Sequence, residues 1–148
     1  MFKRIVVGTD GSDTASVAVR QAIELARVTG ASLDVVSAFE PATAPQLAPE
    51  ERIEVPGDVQ YEVGGRQEVN TVLDRAAGEA ERVGVSVSTH AREGDPADAI
   101  LDVAEETNAD VLVVGNKGMT GAKRFLLGSV PNKVSHHAPC SVYIVRTT

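Results

Sequence analysis

The sequence predicts a single α/β domain in which a parallel sheet is covered by helices on both faces. Three observations predict it. Strand and helix patterns alternate from one end of the chain to the other, as a doubly wound sheet requires. The apolar runs Ile5-Val6-Val7 and Val111-Leu112-Val113-Val114 contain no polar residue to face water, which suits strands buried on both sides. The second run passes directly into glycines spaced G-x-x-G, nine residues, G-S, at Gly115, Gly118, Gly128 and Ser129.

Each element has its own local signal. Ser12 can cap a helix in which Ala15, Ala18, Val19, Ala22 and Ala26 recur at spacings of three and four, and Gly30 is placed to close it. Leu33-Asp34-Val35-Val36 reads as the second strand. From roughly Glu40 to Gly65 no periodicity is present, and Pro41, Pro45, Pro49 and Pro56 predict a long loop, of the kind that serves as a lid, binds a ligand or is disordered. A second helix carries Val69, Val72, Leu73, Ala76, Ala80 and Val83 on one side and ends at Gly84. Val85-Ser86-Val87-Ser88 alternates with period two, as expected of a third strand near an edge.

Asp95 and Pro96 supply a cap and a first-turn proline for a third helix with a buried stripe of Ala97, Ile100, Leu101 and Ala104. The fourth strand is Val111 to Val114. A short helix from Ser129 to Ala138 tolerates Pro131 because the first turn has no use for that N–H. Val142 to Val145 is the fifth strand, and no internal repeat or second domain is visible across residues 1–148.

Composition narrows the function classes. The single cysteine, Cys140, cannot form an internal disulfide, and Met1-Phe2-Lys3-Arg4 leads into a strand rather than a signal sequence, so a cytoplasmic protein is expected. No apolar stretch approaches the roughly 18 to 20 residues of a membrane span, so no membrane partner is expected. An aromatic content of 3% disfavours a stacking platform for single-stranded DNA or RNA. The net charge of −7 is uneven: residues 111–148 contain five cations and no acid, leaving 21 acids against nine bases before them. Three of those cations, Lys117, Lys123 and Arg124, lie between Gly115 and Gly128, where a duplex-binding protein would more often be basic throughout.

The glycine run has the layout of an anion site. Glycines at the end of a buried strand let the backbone turn with positive φ and bring N–H groups close to an anion. Ser129 then opens a helix whose N-terminus adds unpaired donors and roughly half a positive charge. Other candidates are weaker. His136 and His137 are adjacent on a helix, point about 100° apart and cannot share a ligand. His90 has no evident partner in sequence, and Cys140 lacks the basic or C-x-x-C context of a reactive thiol. Neither G-x-x-x-x-G-K-[ST], G-x-G-x-x-G nor G-x-S-x-G occurs. A receiver domain would need an acidic cluster after the first strand, where Asp10 stands as a lone acid, and an electron-transfer flavoprotein would need ring-flanking aromatics.

Over nearly its full length the chain resembles the universal stress protein family, specifically its nucleotide-binding branch. The resemblance rests on Val6-Val7-Gly8-Thr9-Asp10-Gly11-Ser12, on Gly94-Asp95-Pro96, on the glycine element and on His136-His137-Ala138-Pro139-Cys140. It implies a five-stranded parallel sheet of order 3-2-1-4-5, an adenine nucleotide, ATP with Mg²⁺, across strands one and four, and a homodimer. The binding residues it implies are Gly8, Thr9 and Asp10 after strand one, Val36 and Ser37 beside the base, and Val114, Gly115, Lys117, Gly118, Lys123, Gly128, Ser129 and Val130 around the phosphates. Asp10 would hold ribose hydroxyls or the Mg²⁺ ion, or form an Asx turn at the start of the first helix. Pro131 departs from the hydroxyl or Ala that many relatives carry there. With that strand order, a ligand belongs at the switch point between strands one and four.

No second carboxylate is placed to orient a water, so nucleotide binding with slow or absent hydrolysis is expected, acting through a shift in conformation or partnership. A cyclic AMP sensor or reservoir and a nucleotide-independent dimeric scaffold are the alternatives. The apolar strand Val142 to Val145 lies at a sheet edge in that order and is the expected dimer contact.

Overall fold

Nine elements alternate along the described residues: β1 (Arg4–Gly8), α1 (Asp13–Thr29), β2 (Ser32–Phe39), α2 (Pro56–Arg82), β3 (Val87–Glu93), α3 (Pro96–Glu106), β4 (Val111–Gly115), α4 (Ser129–His137) and β5 (Ser141–Val145). The structure, a computed structural model, describes residues 2–40, 56–116 and 127–147, with side chains of the second segment described from residue 66. The five strands form one sheet of order β3-β2-β1-β4-β5, and every pairing in it is parallel.

The alternation of side chains on the central strands divides the core into two layers. Ile5 and Val7 of β1, Leu33 and Val35 of β2, and Val111 and Val113 of β4 pack with α1 and α2. Val6, Val36, Leu112 and Val114 point the other way, onto α3 and α4. All ten are at most 3% exposed, and each apolar side chain so placed stabilises the fold by about 1.5–3 kcal/mol relative to leaving it in water. This explains why Ile5 to Val7 of β1 and Val111 to Val114 of β4 are written without a polar residue.

The expected caps are present. Ser12 accepts a hydrogen bond from the N–H of Ala15, and Gly30 closes α1 with φ +75°. Asp95 accepts from the N–H of Asp98, with Pro96 in the first turn of α3. Gly94 and Asp95 therefore form a strand-to-helix turn.

Several expectations need correction. Helix α2 begins at Pro56, so the last part of the expected loop from Glu40 to Gly65 is helical. Proline is tolerated in a first turn because no N–H is needed there, and the glycines near its start hid the helix from a periodicity reading. The prolines at 41, 45 and 49 lie outside the described residues. Strand β3 runs two residues later and five further than Val85 to Ser88. The buried stripe of α3 includes Ala99 and Val103, while Leu101 is only partly buried. His90 has a partner after all: its Nε2 lies 2.8 Å from Oδ1 of Asp34, which is buried in β2. Cys140 sits partly buried beside the α3 and α4 layer, and burial raises its thiol pKa.

Candidate functional site

The neighbours of β1 are β2 on one side and β4 on the other, because the chain winds outward from β1 through β2 to β3 and then crosses back to β4 and β5. The carboxyl ends of β1 and β4 therefore flank the crevice where a parallel α/β sheet holds its ligand. A cleft of about 370 Å³ lies there, lined by Gly8, Thr9, Asp10, Thr14, Ala15, Ile100, Val114, Gly115, Val130, Pro131 and Thr147. That volume includes the open solvent at the mouth of the cleft.

One wall is the turn from β1 into α1. The N–H of Thr9 donates to the carbonyl of Val36 at 2.9 Å, which fixes the strand end. The N–H of Ser12 donates to Oδ1 of Asp10 at 2.9 Å, and that of Gly11 to Oγ1 of Thr9 at 3.1 Å. Asp10 thus forms the expected Asx turn, and as a half-buried acid it is the one carboxylate among the described lining residues. Gly11 has φ +82°, and a Cβ there would stand 2.5 Å from Cγ2 of Val72, so only glycine suits the turn.

The floor is set by Gly8. A Cβ on Gly8 would lie 2.3 Å from Cδ1 of Ile100, so Ile100 closes the cleft from the α3 side because Gly8 has no side chain.

The opposite wall comes from β4, α4 and the segment after β5. Gly115 does not have the positive φ expected of it; it ends β4 in register with Val145. Its lack of a side chain serves a close approach instead, since a Cβ there would lie 3.1 Å from Cγ2 of Thr147. Asn116 ties this wall together. Its N–H donates to Val145 O and its carbonyl accepts from the N–H of Gly128, both at 2.9 Å. Its side-chain Oδ1 accepts from the N–H of Thr147 at 2.9 Å and from the Thr147 hydroxyl at 2.8 Å.

Gly128 is the N-cap of α4 and offers no side-chain cap. Since its N–H is bonded to Asn116 and Pro131 has none, the first turn of α4 presents the N–H groups of Ser129 and Val130. A helix N-terminus with unpaired donors attracts an anion. Beyond the rim, Lys133 of α4 reaches Asp98 at 2.8 Å and Asp95 at 3.5 Å. The hydrogen bond with Asp98 and the charges of both acids raise its pKa.

Of the residues expected at the site, Gly8, Thr9, Asp10, Val114, Gly115 and Val130 line the cleft. Gly128 and Ser129 stand at the start of α4 without lining it. Val36 and Ser37 are 1% and 3% exposed and do not line it either. Lys117, Gly118 and Lys123 lie outside the described residues. Sequence reasoning missed Thr14, Ala15, Ile100 and Thr147. Ile100 and Ala15 carried a signal as members of apolar helix stripes; Thr147 carried none.

Three comparisons bear on identity. A universal stress protein of Mycobacterium tuberculosis is 38% identical over 148 residues, which cover 99% of this chain and 98% of that protein. A universal stress protein solved in complex with cAMP is 31% identical, covers 99% of both chains and superposes with a TM-score of 0.75. The universal stress protein of Archaeoglobus fulgidus in complex with dAMP is 26% identical, with coverage of 97% and 98% and a TM-score of 0.67. The model of the universal stress protein family matches residues 1–146, and with a relative this similar over its whole length the chain belongs to the universal stress protein family.

Proposed function

We propose that this protein binds an adenine nucleotide in the cleft between β1 and β4 and acts as a regulatory module rather than as a rapid catalyst. The observation that carries the reading is the convergence of two helix starts, α1 and α4, and two strand ends on one crevice. Ser129 and Val130 would meet phosphate through backbone N–H groups, with Gly115 allowing close approach and Gly118, Lys117 and Lys123 contributing from the adjoining loop. Asp10 would hold ribose hydroxyls or Mg²⁺. Its Oδ1 already accepts from Ser12, and one carboxylate together with substrate phosphates is a usual donor set for Mg²⁺, so the residue fits the ion. Val36 and Ser37, whose side chains are buried outside the cleft, would back the base at the β2 side through their backbone.

ATP is the ligand that the glycine element favours, and nucleotide-dependent ordering of the loops would provide the switch. Cyclic AMP is the second reading, supported by the neighbour solved with cAMP. We further propose a cytoplasmic homodimer joined along β5; no helix among the described residues is long and apolar enough to cross a membrane.

The test is calorimetric titration of nucleotide-stripped protein with Mg-ATP, alone and in saturating cyclic AMP. Binding in the first titration supports the reading, and suppression in the second shows a shared pocket. No heat and no thermal stabilisation with either ligand would leave only the scaffold alternative.

A further inference from the structure

Helices α3 and α4 both begin at the carboxyl ends of the sheet, and a charge cluster joins them. Lys133 of α4 places Nζ 2.8 Å from Oδ1 of Asp98 and 3.5 Å from Oδ2 of Asp95, at the start of α3. The acids have a local reason to be there: Asp95 Oδ2 also accepts from the N–H of Asp98 at 3.0 Å, and negative charge favours a helix start. One ammonium thus stands against two carboxylates. All three side chains are about half exposed, and an ion pair so open to water adds little to stability. The fold does not account for Lys133.

The position of the cluster gives it reach into the cleft. Asp98 is two residues from Ile100 and Lys133 three from Val130, and Ile100 and Val130 line the cleft. At about 1.5 Å of helix rise per residue, the charges stand roughly 10 Å from a ligand held there, about one Debye length at 0.1 M salt. Across that distance in water a unit charge changes affinity by about twofold for each charge on the ligand. Lys133 keeps its proton at neutral pH, because its bond with Asp98 and the charges of both acids raise its pKa.

We propose that Lys133 is a specificity-determining residue: by offsetting Asp95 and Asp98 at the edge of the cleft, it lets the cleft take a highly charged nucleotide, and its contribution grows with the number of phosphates. This rests on the nucleotide reading above and assigns a residue to its preference for the triphosphate. The action is through space, since Lys133 stays with its acids and does not touch the ligand.

The full chain and its Lys133→Gln, Asp98→Asn and doubly substituted variants would be titrated calorimetrically with adenosine, AMP and ATP in magnesium-free buffer of low ionic strength. Lys133→Gln is expected to leave adenosine affinity unchanged, to weaken AMP by about threefold and to weaken ATP by about tenfold. Asp98→Asn, which keeps the shape and loses the charge, should strengthen ATP binding, and the double variant should return close to the unaltered chain. All of these differences should shrink in about 0.5 M salt. A loss no larger for ATP than for adenosine would overturn the inference in favour of a packing role. A double variant as weak as Lys133→Gln would overturn it too, because Lys133 would then be touching phosphate itself. Either result leaves nucleotide binding intact. Absence of binding by any nucleotide to the unaltered chain would remove the nucleotide reading itself, and this inference with it.

Discussion

Asp34 and His90 meet across neighbouring strands of the sheet, with His90 Nε2 2.8 Å from Asp34 Oδ1 and the Asp34 side chain 5% exposed. A buried carboxylate deprived of its partner keeps its desolvation cost. His90→Ala is therefore expected to lower stability by about 1–3 kcal/mol in urea denaturation. Adding Asp34→Val should recover part of that loss, because replacing both partners removes the stranded group. Full stability in His90→Ala alone would show that the pair contributes nothing.

Gly8 and Ile100 form a second coupled pair. Gly8→Ala is expected to cost about 1–3 kcal/mol by overpacking, and Ile100→Val, which removes the Cδ1 methyl nearest the added Cβ, should offset part of it. A double-mutant cycle by thermal or urea unfolding would give a favourable coupling of about 0.5–3 kcal/mol; strict additivity would mean that Ile100 moves aside freely.

Asp10 can be separated into its two roles. Asp10→Asn keeps an oxygen to accept from Ser12 and loses the charge. Unliganded stability should stay within about 0.5 kcal/mol, while Mg-ATP affinity falls by roughly tenfold or more, the scale of a charge-assisted hydrogen bond. Undiminished affinity by calorimetry would confine Asp10 to the turn.

Asp110 gives a pH signature. Its Oδ2 accepts from the N–H groups of Lys3 and Arg4 at 2.7 and 2.9 Å, and those two bonds lower its pKa. A depressed carboxylate pKa contributes stability that is fully present above the unfolded value, about 3.9, and is lost as pH falls through the lower folded value. Asp110→Ala should therefore melt below the unaltered protein at pH 7, with the gap narrowing as pH drops below about 4. A gap independent of pH would assign the effect to packing.

The edge strand β5 leaves Tyr143 and Ile144 40% and 36% exposed. An apolar edge invites pairing, and lysine is an edge residue that opposes it. Sedimentation at micromolar concentration is expected to show a dimer for the unaltered chain and a monomer for Ile144→Lys. A monomer in both would reject the β5 contact.

The central strands were legible because their composition admits one environment: Val111 to Val114 offers water nothing. The caps at Ser12 and Asp95 were legible because a short side-chain oxygen before an apolar stripe has a local task. Sequence reasoning failed where the cause lies far along the chain. Gly115 is a glycine on account of Thr147, Gly8 on account of Ile100, and His90 finds its partner 56 positions away in Asp34. Such pairs become visible only when the sheet order is known. The start of α2 was missed for a different reason: its glycines argued against a helix that continues through them.

The bonds of Asp110 to Lys3 and Arg4 span 107 and 106 positions, and they join the two strands whose far ends form the cleft. Closing so distant a contact is slow relative to local helix formation. A growing chain would thus carry β1, α1 and β2 out of the ribosome well before β4 is made, with half a crevice and nothing to hold. Only after the segment beyond β5 arrives does Thr147 reach Gly115. The two walls of the crevice therefore come together only when segments from opposite ends of the described fold have docked.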